Sequence, residues 1–245
     1  MTTEAIVVAL IAVLIGAAVK SISGMGFPLI AIPITSFATD LETAVALIAV
    51  PNLAMNLTMV WRSRSHIRET RDLPTLGITG IVGGVIGTFA LVAWPEEPLV
   101  IILLLVVVVY VIAFFRAPTF KVAPATSARW SPVVGSAAGL LQGAIGMSGP
   151  LVGSWVHSYR LSRDAHILSI TLLFALAGGA QLATLVIGGQ LSGLWVVAAI
   201  ACVPALATIR FGEILRQRFS SQGFDHFVVA MIVVTTLVLA FRTFV

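Results

Sequence analysis

Apolar residues run along this chain in blocks separated by short polar breaks, at about 4–19, 27–37, 41–61, 75–94, 98–115, 131–145, 149–158, 165–187, 193–211 and 224–242. Runs such as AIVVALIAVLIGAAV (5–19) and PLVIILLLVVVVYVIAFF (98–115) approach the roughly 20 residues a membrane-spanning helix needs. The order of long and short blocks in the first five recurs in the second five. The best internal match sets GMGFPL (24–29) against GMSGPL (146–151), an offset of 122 residues. At that offset Lys20 meets Gln142, Ser21 meets Gly143 and Glu42 meets Asp164. The pattern predicts two tandem repeats, 1–115 and 131–245, joined by the polar linker RAPTFKVAPATSARW (116–130).

Composition places those blocks in lipid. Of 245 residues 59% are hydrophobic and 10% charged, against roughly 25% charged in a soluble domain, and the mean hydropathy is +1.08. The first block lacks a basic leader and a small-residue cleavage site, so it reads as a permanent helix. Cys202 is the only cysteine, which excludes an intrachain disulfide and a thiolate metal cluster. The basic balance does not indicate nucleic acid, because most arginines flank apolar blocks, as expected of cytoplasmic loops.

Charge bias then orients the chain. RSRSHIRETR (62–71) goes to the cytoplasm, WPEEP (94–98) to the far side, and the linker with Arg116, Lys121 and Arg129 back to the cytoplasm. If 131–158 crossed once, Arg160, Arg163, Arg210, Arg216 and Arg218 would all lie outside. If it dips in and returns, they lie inside and the uncharged GGQLSG (188–193) outside. The second solution satisfies every loop. Applied to 4–37, it makes a hairpin with both ends outside, beside Asp40 and Glu42. The expected fold is therefore all-α: a polytopic membrane protein of two inverted repeats, each a re-entrant broken-helix hairpin plus three transmembrane helices.

The hairpin elbows carry the candidate chemistry. Glycine-rich breaks leave backbone groups without helical partners, tolerated at depth only where protein or a wet cavity satisfies them. Pro28 and Pro150 fall in the first turn of the returning pieces. A helix start offers free N–H groups and a partial positive charge to an anion. A packing elbow is the alternative for either break alone; two matched elbows favour a substrate site. Lysine at bilayer depth is unfavourable by about 2.5–3.5 kcal/mol on insertion scales, so Lys20 reads either as snorkelling from a helix end or as contacting an anion. Every carboxylate lies at a block end or in a loop, whereas cation carriers and carboxylate relays use one mid-span. The candidate binding residues are Lys20, Ser21, Ser23, Gly24, Gly26, Asn52, Gln142, Gly146, Ser148 and Gly149. Lys20 neutralises the anion, the serines and Gln142 orient its oxygens, and the glycines expose amides. Asn52 and Asn56 share a helix face and, like Gln181, serve either the cavity or interhelical hydrogen bonding. His157 and His166 read as interfacial or as gates. Trp61, Trp94, Trp130 and Trp155 suit an aromatic belt. No catalytic residue, metal ligand or cofactor is indicated.

Two rival functions can be weighed on the same residues. GMSG (146–149) has the G-x-S-G form of rhomboid-type intramembrane serine proteases, but its first-repeat counterpart GMGF has no serine, and no later histidine lies on a small-residue helix face. An anion channel could use the same elbows. A duplicated membrane unit is, however, the usual build of a secondary transporter.

VKSISGMGFPLIAIP (19–33) and GLLQGAIGMSGPLVGSW (139–155) together resemble the TauE/SafE (TSUP) family of membrane transporters, over essentially the whole chain. The family often carries three consecutive glycines at the turn, where this chain has GMGFP and GMSGP. The resemblance implies movement of sulfur-containing organic anions (sulfite, sulfoacetate, other sulfonates) across the bacterial inner membrane. A sulfonate, with three acceptor oxygens and one charge, suits an ammonium, hydroxyls and helix-end amides. The expected partners are that anion, the lipid bilayer and a second copy of the chain, with no nucleic acid.

Overall fold

A computed structural model describes residues 1–23, 25–116 and 121–216, with 233, 237 and 241; the segment 224–242 thus falls almost wholly outside the described residues. Those described are helical with short connections: α1 (Thr3–Ser23), α2 (Phe27–Ala38), α3 (Leu41–Ser63), a 3₁₀ turn (Arg64–Glu69), α4 (Leu73–Ala93), α5 (Glu96–Arg116), α6 (Pro124–Ile145), α7 (Gly149–His157), α8 (Arg163–Ile187) and α9 (Trp195–Arg216). Among the described residues four stretches are long and apolar enough to cross a membrane: Thr3–Ser21, Leu41–Glu69, Leu73–Ala93 and Arg163–Ile187. One boundary differs from the sequence reading. Residues 124–130, expected as linker, form the start of α6. Pro124 suits a first helical turn, and Ser127 and Ser131 hide their polarity by donating to the Pro124 and Ser127 carbonyls.

The offset of 122 residues maps helix onto helix. α1 to α4, shifted by it, land on α6 to α9 to within three residues at each end. Even the caps correspond: Asp40 accepts from the Thr43 N–H before α3, and Ser162 from the Ala165 N–H before α8. Packing repeats too. α4 lies along α6 and α8, α9 lies along α1 and α3, and α3 lies against α8.

The α4–α6 seam shows how such close approach is achieved. Lipid tails are as apolar as leucine, so helices associate through tight packing of small residues. On α4, Ile78, Val82, Ile86 and Phe89 face outward, while Gly80, Gly83, Gly84 and Gly87 are buried. A Cβ on Gly139 of α6 would fall 2.2 Å from the Gly80 carbonyl oxygen and 2.7 Å from the Gly84 nitrogen. The exterior is aliphatic while Lys20, Asn52, Asn56, Gln142 and Gln181 are buried. That reversal of the soluble pattern is what a bilayer demands.

Hydrogen bonds tie the chain's basic end together. The Val122 N–H donates to the Ser158 carbonyl at 3.4 Å, joining the entry of α6 to the exit of α7. Arg71 donates to the Val122 carbonyl at 3.0 Å and lies 4.0 Å above the Tyr159 ring. The Tyr159 hydroxyl donates to Asp72 at 3.1 Å, and Ser162 to Glu69. Burial, then the Asp72 carboxylate, pushes the Tyr159 phenol up to about 12, so it stays protonated and donating at neutral pH. At the opposite end the Leu41 N–H donates to Glu96 at 3.1 Å.

Backbone cannot yield at the α4–α6 seam, so Gly139→Ala is expected to destabilise the protein by about 1–3 kcal/mol. At Gly179 an added Cβ meets only Leu53, at 4.0 Å, so Gly179→Ala should be neutral or slightly stabilising. Thermal unfolding of the two variants in one detergent checks this; equal melting would refute the seam.

Candidate functional site

Two interrupted helices meet at one point. α1 closes at Ser23 and α2 restarts at Phe27 behind Gly26, whose φ of 100° is a conformation side chains resist. α6 closes at Gly146, φ 72°, and α7 restarts at Gly149 behind Ser148. Pro28 and Pro150 stand in the first turns, and neither first turn receives a side-chain cap. Both helices therefore start with free amides and the positive end of a dipole.

Between them lies a narrow cavity with room for about one water-sized sphere. Three repeat-related pairs line it: Lys20 with Gln142, Gly26 with Ser148, and Asn52 with Phe174. Gly149 lines it as well.

Lys20 is only 1% exposed. Its Nζ donates to Asn52 Oδ1 at 2.9 Å and Asn56 Oδ1 at 2.6 Å, and lies 5.9 Å from the centre of the Phe174 ring. Asn52 and Asn56 sit near the middle of α3, so the end of α1 reaches the mid-depth of that long helix. Snorkelling to a surface is thereby ruled out for Lys20.

Gln142 plays the matching part differently. Its Nε2 donates to the Gly146 carbonyl at 3.0 Å and to Gln181 Oε1 at 3.2 Å, and its Oε1 accepts from Ser148 at 3.3 Å. Gln181 in turn donates to the carbonyls of Gln142 and Gly143, at 2.7 and 3.1 Å. The second elbow is braced by neutral amides, while the first presents a cation.

Six of the ten sequence-designated residues line the one cavity: Lys20, Gly26, Asn52, Gln142, Ser148 and Gly149. Ser21 does not; its hydroxyl donates to the Ala18 carbonyl at 2.8 Å. Gly146 shapes the turn, where a Cβ would come 2.4 Å from Ile32 Cδ1. The Ser23 side chain and Gly24 lie outside the described residues. Phe174 lines the cavity although sequence reasoning did not designate it, and Asn56, weighed there for the cavity or for interhelical bonding, holds Lys20 from outside the lining. Asn56 had a signal, a buried-side amide one turn from Asn52; Phe174 had none except its repeat position.

Trp155 differs from the other three tryptophans. Trp61, Trp94 and Trp130 are exposed as a belt requires, but Trp155 lines a second cavity with Leu76, Ala138, Val152 and Leu173. α7 is a short inner helix, and its tryptophan faces the protein. Ser148 borders both cavities. Among the described residues no histidine lines either one; His157 and His166 pack edge-to-face with ring centres 6.0 Å apart, where α7 leaves and α8 begins.

A helical membrane protein with a buried cationic pocket between two broken helices is the class these features define. Within that class the chain belongs to the TauE/SafE sulfite exporter family, whose model matches residues 8–239. The family is one of membrane transporters, and this chain is a multi-pass member of it. No curated protein and no solved structure matches the chain.

Because Gln142 and Gln181 satisfy each other's buried groups, replacing either by leucine is expected to destabilise the protein by about 1–3 kcal/mol. The double variant should lose less than the sum, with a coupling of about 0.5–3 kcal/mol. Chemical or thermal unfolding of all four proteins measures it, and strict additivity would show that the amides act separately.

Proposed function

We propose that this protein is a secondary transporter of small sulfur-containing anions (a sulfonate, sulfoacetate or sulfite), working by alternating access across the bacterial inner membrane. The observation that carries the reading is the buried Lys20 ammonium, placed where two uncapped helix starts converge. A tetrahedral or pyramidal oxyanion would take one oxygen to Lys20 and others to amides near Gly26 and Gly149 and to the Ser148 hydroxyl. Family membership supports transport of such an anion.

The topology belongs to the same reading. Two repeats, 1–115 and 131–245, run in opposite senses, each a re-entrant hairpin followed by three crossings. In support, α6 enters and α7 leaves at one end, joined by the Val122–Ser158 bond, beside the arginines of 62–71. The α1–α2 hairpin turns at the mid-depth of α3, and α2 returns to the opposite end, where α3 begins. The second cavity extends from Ser148 toward Leu76 and Trp155, near the basic, cytoplasmic end. It is the route by which the central pocket opens inward.

Lys20→Ala removes the charge that neutralises the anion, and binding should weaken about 10- to 100-fold, the range for a charged hydrogen bond. Anion counterflow in proteoliposomes, with thermal unfolding as the check on folding, tests this. Unaltered affinity in a folded variant would sink the site. Counterflow also separates carrier from channel, because an open pore shows none.

A further inference from the structure

Resting on that reading, we propose that Lys20 carries a proton together with the anion. The side chain is an ammonium while the pocket is loaded and a neutral amine while it is empty, so each anion moves with one proton.

Donor counting points there first. An ammonium has three N–H donors and a neutral amine has two. The protein supplies Lys20 with two acceptors, Asn52 Oδ1 and Asn56 Oδ1, and among the described residues no third. The amine is satisfied by what the protein offers. The ammonium has one donor left over, and the cavity beside it is where an anion's oxygen would accept it.

Charge counting agrees. Among the described residues, α2 brings no titratable side chain to Lys20. α3 faces it with Asn52 and Asn56; Glu42 and Arg62 stand in the first and last turns of that helix, ten residues from Asn52, or roughly 15 Å along it. α6 presents Gln142 and α7 presents Ser148 and Gly149, with His157 at the far end of α7. α8 presents Phe174; its Arg163, Asp164 and His166 lie in the first turn. α9, packed along α1, carries Cys202, whose thiol donates to the Ala198 carbonyl. Among the described residues no carboxylate compensates an ammonium here. A buried charge without a partner is strongly unfavourable. The empty pocket removes that penalty by giving up the proton, and the loaded pocket removes it by holding an anion.

The step balances simply. When the anion leaves, one N–H bond of the ammonium breaks, its electron pair remains on Nζ, and the proton passes to a water entering the vacated cavity. Loading reverses this. A monovalent anion and one proton cross together without net charge, and the returning empty carrier is neutral.

The test counts protons on the purified protein in detergent. Methanesulfonate, ionised at all working pH values, is titrated calorimetrically in buffers of different ionisation enthalpy. The expected result is uptake approaching one proton per anion on the alkaline side, with Kd rising about tenfold per pH unit there and flattening toward acid. Lys20→Met should abolish the uptake along with most of the affinity. Binding with no proton uptake and a constant Kd between about pH 6 and 9 overturns the proposal while leaving the transporter intact. A folded Lys20→Met protein that still takes up a proton per anion also overturns it. The wild-type pH dependence decides the matter if that variant does not fold. Absence of both binding and counterflow for methanesulfonate, sulfoacetate and sulfite removes the transporter reading itself, and this proposal with it.

Discussion

A lysine that is 1% exposed and bound, among the described residues, to two asparagine oxygens is the constraint around which this structure is organised. α1 stops inside the protein at Ser23, within one turn of that buried side chain. Stopping it frees backbone groups that lipid cannot satisfy. The elbow must therefore be surrounded by protein, and α2, α3, α7 and α8 supply that surround. The polar residues of α3 follow from the same requirement. Asn52 and Asn56 fall one turn apart so that both amides reach one nitrogen.

The repeat solves half of this problem twice and the other half once. Helix bounds, elbows, caps and seams all recur at 122 residues. At the centre, however, lysine faces glutamine, glycine faces serine, and asparagine faces phenylalanine across the offset. Gln142 spends its amide on the Gly146 carbonyl, on Gln181 and on Ser148, fixing its own turn. Lys20 makes no such bond to its own elbow among the described residues; it reaches across to α3. One elbow is thus held by local amide bonds and the other by long-range bonds from the Lys20 nitrogen to α3.

Much of this was legible in the chain's pattern, and the reason is the solvent. In a bilayer a polar residue or a glycine break stands against a nearly uniform apolar background, so the elbows, Lys20, Gln142 and Ser148 could be picked out individually. The helix ends were legible because charges mark where lipid stops. What could not be read were partners across helices. That Asn56 joins Asn52 on Lys20, or that Gln181 braces Gln142, depends on which helices touch and at what depth. Ser21 lies off the cavity for a local reason: a serine in a helix satisfies itself on the preceding turn, as it does on Ala18. The cavity position of Trp155 could not be read because a belt position and an inner cavity position suit the same side chain. The early start of α6 was hidden because a serine-rich first turn looks like a loop until its hydroxyls are seen bonded back to the helix.

The choice of lysine over arginine at position 20 follows from the geometry of its cage. A guanidinium presents five donors in a rigid plane and stays charged in any protein environment. Two asparagine oxygens one turn apart, with a phenylalanine ring 5.9 Å away and a cavity for about one water, cannot satisfy that many donors. The ammonium is compact, and its three donors rotate to suit. Two of them meet the asparagines, which leaves a single donor for the cavity. A site built this way holds the Lys20 nitrogen on the same two asparagines whether or not an anion is present, and it concentrates the difference between the two states on one N–H group.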